Sequence, residues 1–167
     1  EYKANRSETP DDLIPQFARI EQLIQGFEMH SYRMSGIEAD DLIATLAKRW
    51  CKLSPKNKVV IVTGDKDLMQ LVDDRVCVWD TMSNKLYGPI QVQEKFGVPP
   101  SQIRDYLGLV GDSSDNIPGV AGVGPKTAAD LLREHGSMEG ILKAAEAGKI
   151  PGKKCETIKA SADIARL

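Results

Sequence analysis

The chain has 167 residues, 41% of them hydrophobic and 28% charged, with a formal net charge of −2, a balance typical of a folded domain and unlike that of a disordered chain. That length holds one compact domain, alone or with a small appendage, and excludes two full domains. The longest strongly apolar run is Val59 to Val62, far short of the roughly 20 residues that cross a bilayer as a helix, and a pI near 5.8 excludes coating of nucleic acid by bulk positive charge.

Thr9, followed by Pro10, Asp11 and Asp12, reads as a helix start: an N-cap, a proline in the first turn and acids that complement the dipole. Leu13, Phe17, Ile20, Leu23, Ile24 and Phe27 then recur at helical spacing, which predicts a helix to about Gly26. Met29 to Met34 is expected as a short strand, and a second helix starts near Glu38 with Leu42, Ile43, Leu46, Ala47 and Trp50 on its buried face. KVVIVT, from Lys58 to Thr63, is β-branched and nearly continuous, the pattern of a strand buried on both faces. A short helix over Lys66 to Val72, a strand over Val76 to Asp80 and a hairpin partner over Lys85 to Tyr87 follow. Strand and helix alternate, so the first half is expected to be α/β with a mostly parallel sheet.

After Gly88 the strand signals stop. Helices are expected over Pro89 to Phe96, Pro100 to Val110, from Pro125 onward, over 137–146 and over 153–166. From Lys143 to the end, six basic residues stand against three acidic ones, so a polyanion could dock on this segment. Cys51, Cys77 and Cys155 form no CxxC pair and read as free thiols in a reducing cytosol. The opening EYKANRSETP has neither an initiator Met nor the apolar stretch of a secretory signal, which suggests a piece of a longer polypeptide. His30 and His135 read as surface or capping residues, and Trp50 and Trp79 as core aromatics.

Carboxylates gather at three places: EADD (Glu38, Asp40, Asp41), TGDKD (Asp65, Asp67) and GDSSDN (Asp112, Asp115). Each group has a structural explanation of its own. Asp65 could cap the next helix, acids are favoured in the first turn after Glu38, and the Asp and Asn of a glycine-led loop can satisfy its backbone. Together they point further. Asp65 and Asp67 lie just beyond the C-terminal end of the KVVIVT strand, where open α/β sheets build their sites. Unpartnered carboxylates packed together are costly, and a divalent cation removes the cost. An all-oxygen ligand set favours Mg²⁺ or Mn²⁺ over Zn²⁺. Two such ions about 4 Å apart suit hydrolysis or transfer at a phosphodiester.

In GVAGVGPKTAADLL, Gly122 and Gly124 permit a tight turn and expose amides at the start of the Pro125 helix, where a phosphate can be held, with Lys126 adding charge and Thr127 beside it. A glycine turn between helices is also a common connection. Its closeness to the acidic loop favours sequence-independent binding of a DNA backbone.

YKANR, GIEADD, TGDKD, GDSSDNIPGV and GVGPKTA, in this order over nearly the whole chain, resemble the 5′ nucleases: the flap endonucleases and 5′→3′ exonucleases, and most closely the branch at the N-terminus of bacterial DNA polymerase I. The resemblance implies a PIN-like (Rossmann-like) α/β domain with flanking helices over 1–115, followed by an α-helical helix-hairpin-helix region over 116–167. It implies that Glu38, Asp40, Asp41, Asp65, Asp67, Asp112 and Asp115 ligate or position two Mg²⁺ or Mn²⁺ ions. Lys3 and Arg6 would face the scissile phosphate, and the hairpin around Gly122, Gly124, Lys126 and Thr127 would hold duplex, with K⁺ a further expected ion. The implied substrates are 5′-flap or nicked DNA and RNA primer–DNA hybrids, acted on by a monomer fused to a polymerase domain in the bacterial cytoplasm, in replication and repair. Members of the family begin with a strand and two further aspartates that have no counterpart in this chain. A sheet without that strand is expected to leave Val59 to Val62 underpacked. The alternatives are a noncatalytic DNA-binding fragment, which would bind equally well after chelation of metal, and a standalone exonuclease homologue.

Overall fold

In the computed structural model, which describes Ala4 and residues 7–166, an N-terminal helix leads into a small sheet flanked by helices, and a helical region follows. The elements are α1 (Ile14–Gly26), α2 (Ala39–Leu53), β1 (Val59–Val62), a 3₁₀ turn (Asp67–Leu71), β2 (Val76–Asp80), β3 (Lys85–Tyr87), α3 (Pro89–Phe96) and a second 3₁₀ turn (Pro100–Gln102). After these come α4 (Ile103–Val110), β4 (Gly111–Asp112), β5 (Ile117–Pro118), α5 (Pro125–His135), α6 (Met138–Glu146), α7 (Lys153–Ala160) and α8 (Ala162–Ala165).

β1 runs parallel to β2 in the register Val59 to Val76, and β3 returns antiparallel to β2. The sheet therefore holds one parallel and one antiparallel pair. β4 and β5 form a two-residue ladder that closes the GDSSDN loop, which sequence alone does not suggest. The core is continuous: Ile61, Met69 and Val78 from the sheet side meet Val92, Ile103 and Leu109, and these continue into Leu132, Ile141 and Ile158 of the helical half.

Several expectations are corrected. α1 starts at Ile14 rather than Pro10, because residues 11–13 form a turn in which the Leu13 amide donates to the Pro10 carbonyl, and Pro15 occupies the first helical turn. Residues 29–34 form no strand: an isolated extended segment has no edge with which to satisfy its amides. The first helix has no buried residue, although Phe17, Ile20, Leu23 and Phe27 do recur at helical spacing. β1 is buried on one face alone. Ile61 is inside, while Val60 and Val62 are 54% and 59% exposed.

Val60 and Val62 fit the expected underpacking, for among the described residues β2 is the one strand paired with β1. Trp50 and Trp79, read from sequence as core, are 52% and 41% exposed, and Leu46 of α2 also faces outward. α2 instead buries Ala47 and Cys51, with Leu42 and Ile43 half-buried. From α3 onward the expected spans agree with the structure closely. The residues expected as one helix over 100–110 are a 3₁₀ turn running into α4, and 153–166 is α7 and α8 with a break at Ser161.

Candidate metal centre

At the C-terminal end of β1, Thr63 still donates its amide to the Trp79 carbonyl, and the chain then turns sharply. Side chains satisfy the turn. The Asp65 amide donates to Thr63 Oγ1 at 3.0 Å and the Asp67 amide to Asp65 Oδ1 at 2.9 Å. Asp65 therefore does hold the start of the 3₁₀ turn, as its local reading allows. Asp67 opens that turn half-buried, and its Oδ1 is shut from solvent with no hydrogen-bond partner.

The second contribution comes from the end of α4. Gly111 has φ +80°, in the region that favours glycine, and its backbone lies against that of Gly119. This close approach pairs β4 with β5 and fixes Asp112, the one buried charged residue among those described. Asp112 Oδ1 accepts the Ser114 amide at 2.8 Å and stands 2.8 Å from Lys66 Nζ. Asn116, also in a left-handed conformation, completes the turn.

One carboxylate oxygen each from Asp67, Asp112 and Asp115 lie within 4.8 Å of one another. Asp40, Asp65, Lys66 and Ser114 join these three around a cleft of about 290 Å³. Thus α2, the TGDKD turn and the GDSSDN loop do converge. Glu38, the N-cap of α2, and Asp41 are exposed and do not line the cleft. Lys3 and Arg6 lie outside the described residues.

The electrostatics follow from this crowding. Burial, then the negative charges of Asp65 and Asp112, push the Asp67 carboxyl up to about 6. Burial also pushes Asp112 upward, but hydrogen bonds from Lys66 and the Ser114 amide outweigh it and hold that carboxyl below its ordinary value. An orphaned buried oxygen and two neighbouring acids fit a hard divalent cation. Lys66 is the residue that sequence reading passed over; its position between Asp65 and Asp67 was the available signal.

The hairpin lies beyond the cleft. Gly122 takes φ +76°, which a side chain rarely adopts. Gly124, the N-cap of α5, is extended at φ −87°, open to any residue, and a Cβ placed there would meet nothing within 4 Å. Lys126 is exposed and Thr127 half-buried in the first turn of α5. Val120, Val123 and Ala128 anchor the hairpin in the core. Gln102, just before α4, donates to the carbonyls of Leu132 and Gly136 at the end of α5, and Asp105 of α4 accepts the Met138 amide that opens α6. The segment that delivers Asp112 therefore also grips the turn between α5 and α6.

Two family models cover the chain: "5′-3′ exonuclease, N-terminal resolvase-like domain" matches residues 1–97 and "5′-3′ exonuclease, C-terminal SAM fold" matches residues 98–167. The chain is 46% identical over 167 residues to a DNA polymerase I of Rhizobium leguminosarum, spanning 99% of this chain and 16% of that protein. It is 42% identical over 170 residues to a 5′-3′ exonuclease of Aquifex aeolicus, spanning 100% of this chain and 58% of that one. This chain thus spans less than two thirds of either relative. A solved structure of the bacteriophage T5 flap endonuclease, in a complex with DNA and metal ions, superposes with a TM-score of 0.82 at 25% identity, covering 99% of this chain and 64% of that one.

Proposed function

The chain belongs to the 5′-3′ exonuclease family, and we propose that it carries the metal-binding and DNA-holding parts of a structure-specific 5′ nuclease that hydrolyses phosphodiesters of 5′-flap or nicked DNA and of RNA primer–DNA hybrids. The observation that carries this reading is the meeting of Asp67, Asp112 and Asp115 around a buried, unpartnered carboxylate oxygen. The T5 relative with DNA and metal ions supports it. Relatives named DNA polymerase I support a fusion to a polymerase domain, with roles in replication and repair.

Asp67, Asp112 and Asp115 are assigned as direct holders of divalent metal, with Asp40 and Asp65 beside them in the cleft and Asp41 and Glu38, outside it, in positioning roles. Two Mg²⁺ or Mn²⁺ ions are proposed; when bound they would lower the pKa of a water and stabilise charge on the phosphate oxygens. The protein's own residues prepare the site. The β4–β5 ladder keeps Asp112 fixed, the Thr63 and Asp65 side chains keep Asp67 aimed into the cleft, and Lys66 balances the charge. Lys3 and Arg6 are assigned to the scissile phosphate.

Gly122, Gly124, Lys126 and Thr127 are assigned to the duplex backbone. The extended, unobstructed Gly124 supports this, since nothing within the fold requires glycine there while an approaching phosphate would. K⁺ at this hairpin belongs to the same proposal, as do a monomeric state, a division of roles after residue 115 and a cytoplasmic setting, the last supported by the three free cysteines.

The test is cleavage of a labelled 5′-flap duplex by the polypeptide carrying this chain, wild type and Asp112→Asn, with Mg²⁺ and with EDTA. Cleavage by the wild type with Mg²⁺ alone, lost in the variant while flap binding persists, is the expected result. Cleavage retained by Asp112→Asn would sink the metal assignment.

A further inference from the structure

The carboxylate cluster is not bare: Lys66 Nζ stands 2.8 Å from Asp112 Oδ1, with the lysine side chain 35% exposed and that of Asp112 10% exposed. The same oxygen accepts the Ser114 amide at 2.8 Å, so both of its lone-pair directions are engaged. Four further acids, Asp40, Asp65, Asp67 and Asp115, line the same cleft as this ammonium.

We propose that Lys66 is a displaceable counter-ion, whose ammonium balances the cluster while no metal is bound and which a divalent cation must expel in order to bind. The inference rests on the metal-centre reading above and assigns a role to a residue outside the ligand set.

Two features make Lys66 the group that leaves. The Ser114 amide is part of the loop backbone and fixed by the β4–β5 ladder, whereas the ammonium rides on a flexible four-carbon stem already one-third exposed. The Lys66 backbone is itself held, because its carbonyl accepts the Met69 amide at 3.1 Å, so the side chain can swing out without moving Asp65 or Asp67. A dication held by Asp112 and its neighbours claims the same negative charge and repels a +1 charge a few ångström away. Metal loading is then an exchange of one cation for another, and the lysine weakens apparent metal affinity while sparing the metal-free fold from repulsion among its acids.

The experiment measures binding of Mn²⁺ alone to the polypeptide carrying this chain, from the signal of free Mn²⁺ in electron paramagnetic resonance, for wild type, Lys66→Met and Lys66→Arg. Lys66→Met is expected to bind Mn²⁺ about threefold to tenfold more tightly, the fold-change of one partly screened ion pair, with Lys66→Arg near wild type. Equal or weaker binding by Lys66→Met overturns the proposal. In case that variant does not fold, the wild type is titrated with Mg²⁺ while the side-chain ammonium resonance of Lys66 is followed by NMR. A shift that saturates with metal occupancy is expected, and a resonance unmoved at saturating Mg²⁺ overturns the proposal. If wild type and Asp112→Asn bind Mn²⁺ equally, the metal centre itself fails and this role fails with it. Normal wild-type binding with an unresponsive lysine removes the role of Lys66 alone.

Discussion

Gly111 and Gly119 lie back to back: a Cβ on Gly119 would sit 2.3 Å from the Val110 carbonyl oxygen, and one on Gly111 would sit 2.3 Å from the Gly119 amide nitrogen. The clash in both cases is with backbone, which cannot rotate away as a side-chain tip can. This contact closes the β4–β5 ladder that carries Asp112. Gly119→Ala is therefore expected to destabilise the fold by roughly 2–4 kcal/mol and to weaken Mn²⁺ binding. Urea unfolding together with a metal titration checks it; a variant of wild-type stability would show that the two strands are not held by this contact.

Gly124→Ala should behave in the opposite way. Its φ of −87° suits any residue and its Cβ would meet open space, so stability is expected to be unchanged or to rise by up to about 1 kcal/mol. If the α5 amides receive a phosphate there, the added methyl lowers duplex affinity by roughly tenfold, the equivalent of one lost hydrogen bond to a charged group. Fluorescence anisotropy with a labelled duplex, read beside the melting curve, separates the two effects. Undiminished duplex binding would remove Gly124 from the interface.

The pH dependence of the metal-free protein should carry the signature of Asp67. Its carboxyl titrates near 6 in the fold against an ordinary value of 3.8, so between those values the folded state holds a proton that the unfolded chain has released. Stability from this group is fully present below about 4 and is lost as pH rises to about 6. Asp67→Asn is expected to be more stable than wild type at pH 7.5 without metal, and to lose that advantage at pH 4. Mg²⁺ should stabilise wild type at pH 7.5 more than it stabilises the variant. Thermal unfolding at the two pH values tests both statements; a constant difference between the proteins would refute the assignment of this titration.

Gln102 ties the start of α4 to the end of α5 through its bonds to the Leu132 and Gly136 carbonyls. Removing the amide in Gln102→Ala takes its donor from the Gly136 carbonyl, while the Leu132 carbonyl keeps the Gly136 amide, and should cost about 1–2 kcal/mol. Because α4 leads directly into Asp112, the same variant should lose more duplex affinity than its stability loss explains at a temperature where it is fully folded. An affinity equal to wild type under those conditions would confine Gln102 to a structural role.

The sequence by itself determined the helical half nearly residue by residue. α3, α5 and α6 begin at Pro89, Pro125 and Met138 because proline in a first turn, a serine cap at Ser137 and glycine at each following break are local signals that need no distant partner. The five ordered motifs likewise pointed to the family, since they are strings of residues whose order is independent of packing.

Tertiary structure decided what local patterns cannot encode. Periodicity states which face of α1 or β1 is apolar and not whether anything covers it, so Trp50, Trp79, Val60 and Val62 read as buried and stand exposed, as does the apolar stripe of α1. Seven carboxylates looked equivalent in the motifs, yet packing of α4 beside the TGDKD turn gathers Asp67, Asp112 and Asp115 into the tight group and leaves Glu38 and Asp41 outside the cleft. The pairing of Lys66 with Asp112 joins residues 46 positions apart in sequence, and a contact of that range is fixed by how the elements pack and by the chain's need to balance buried charge.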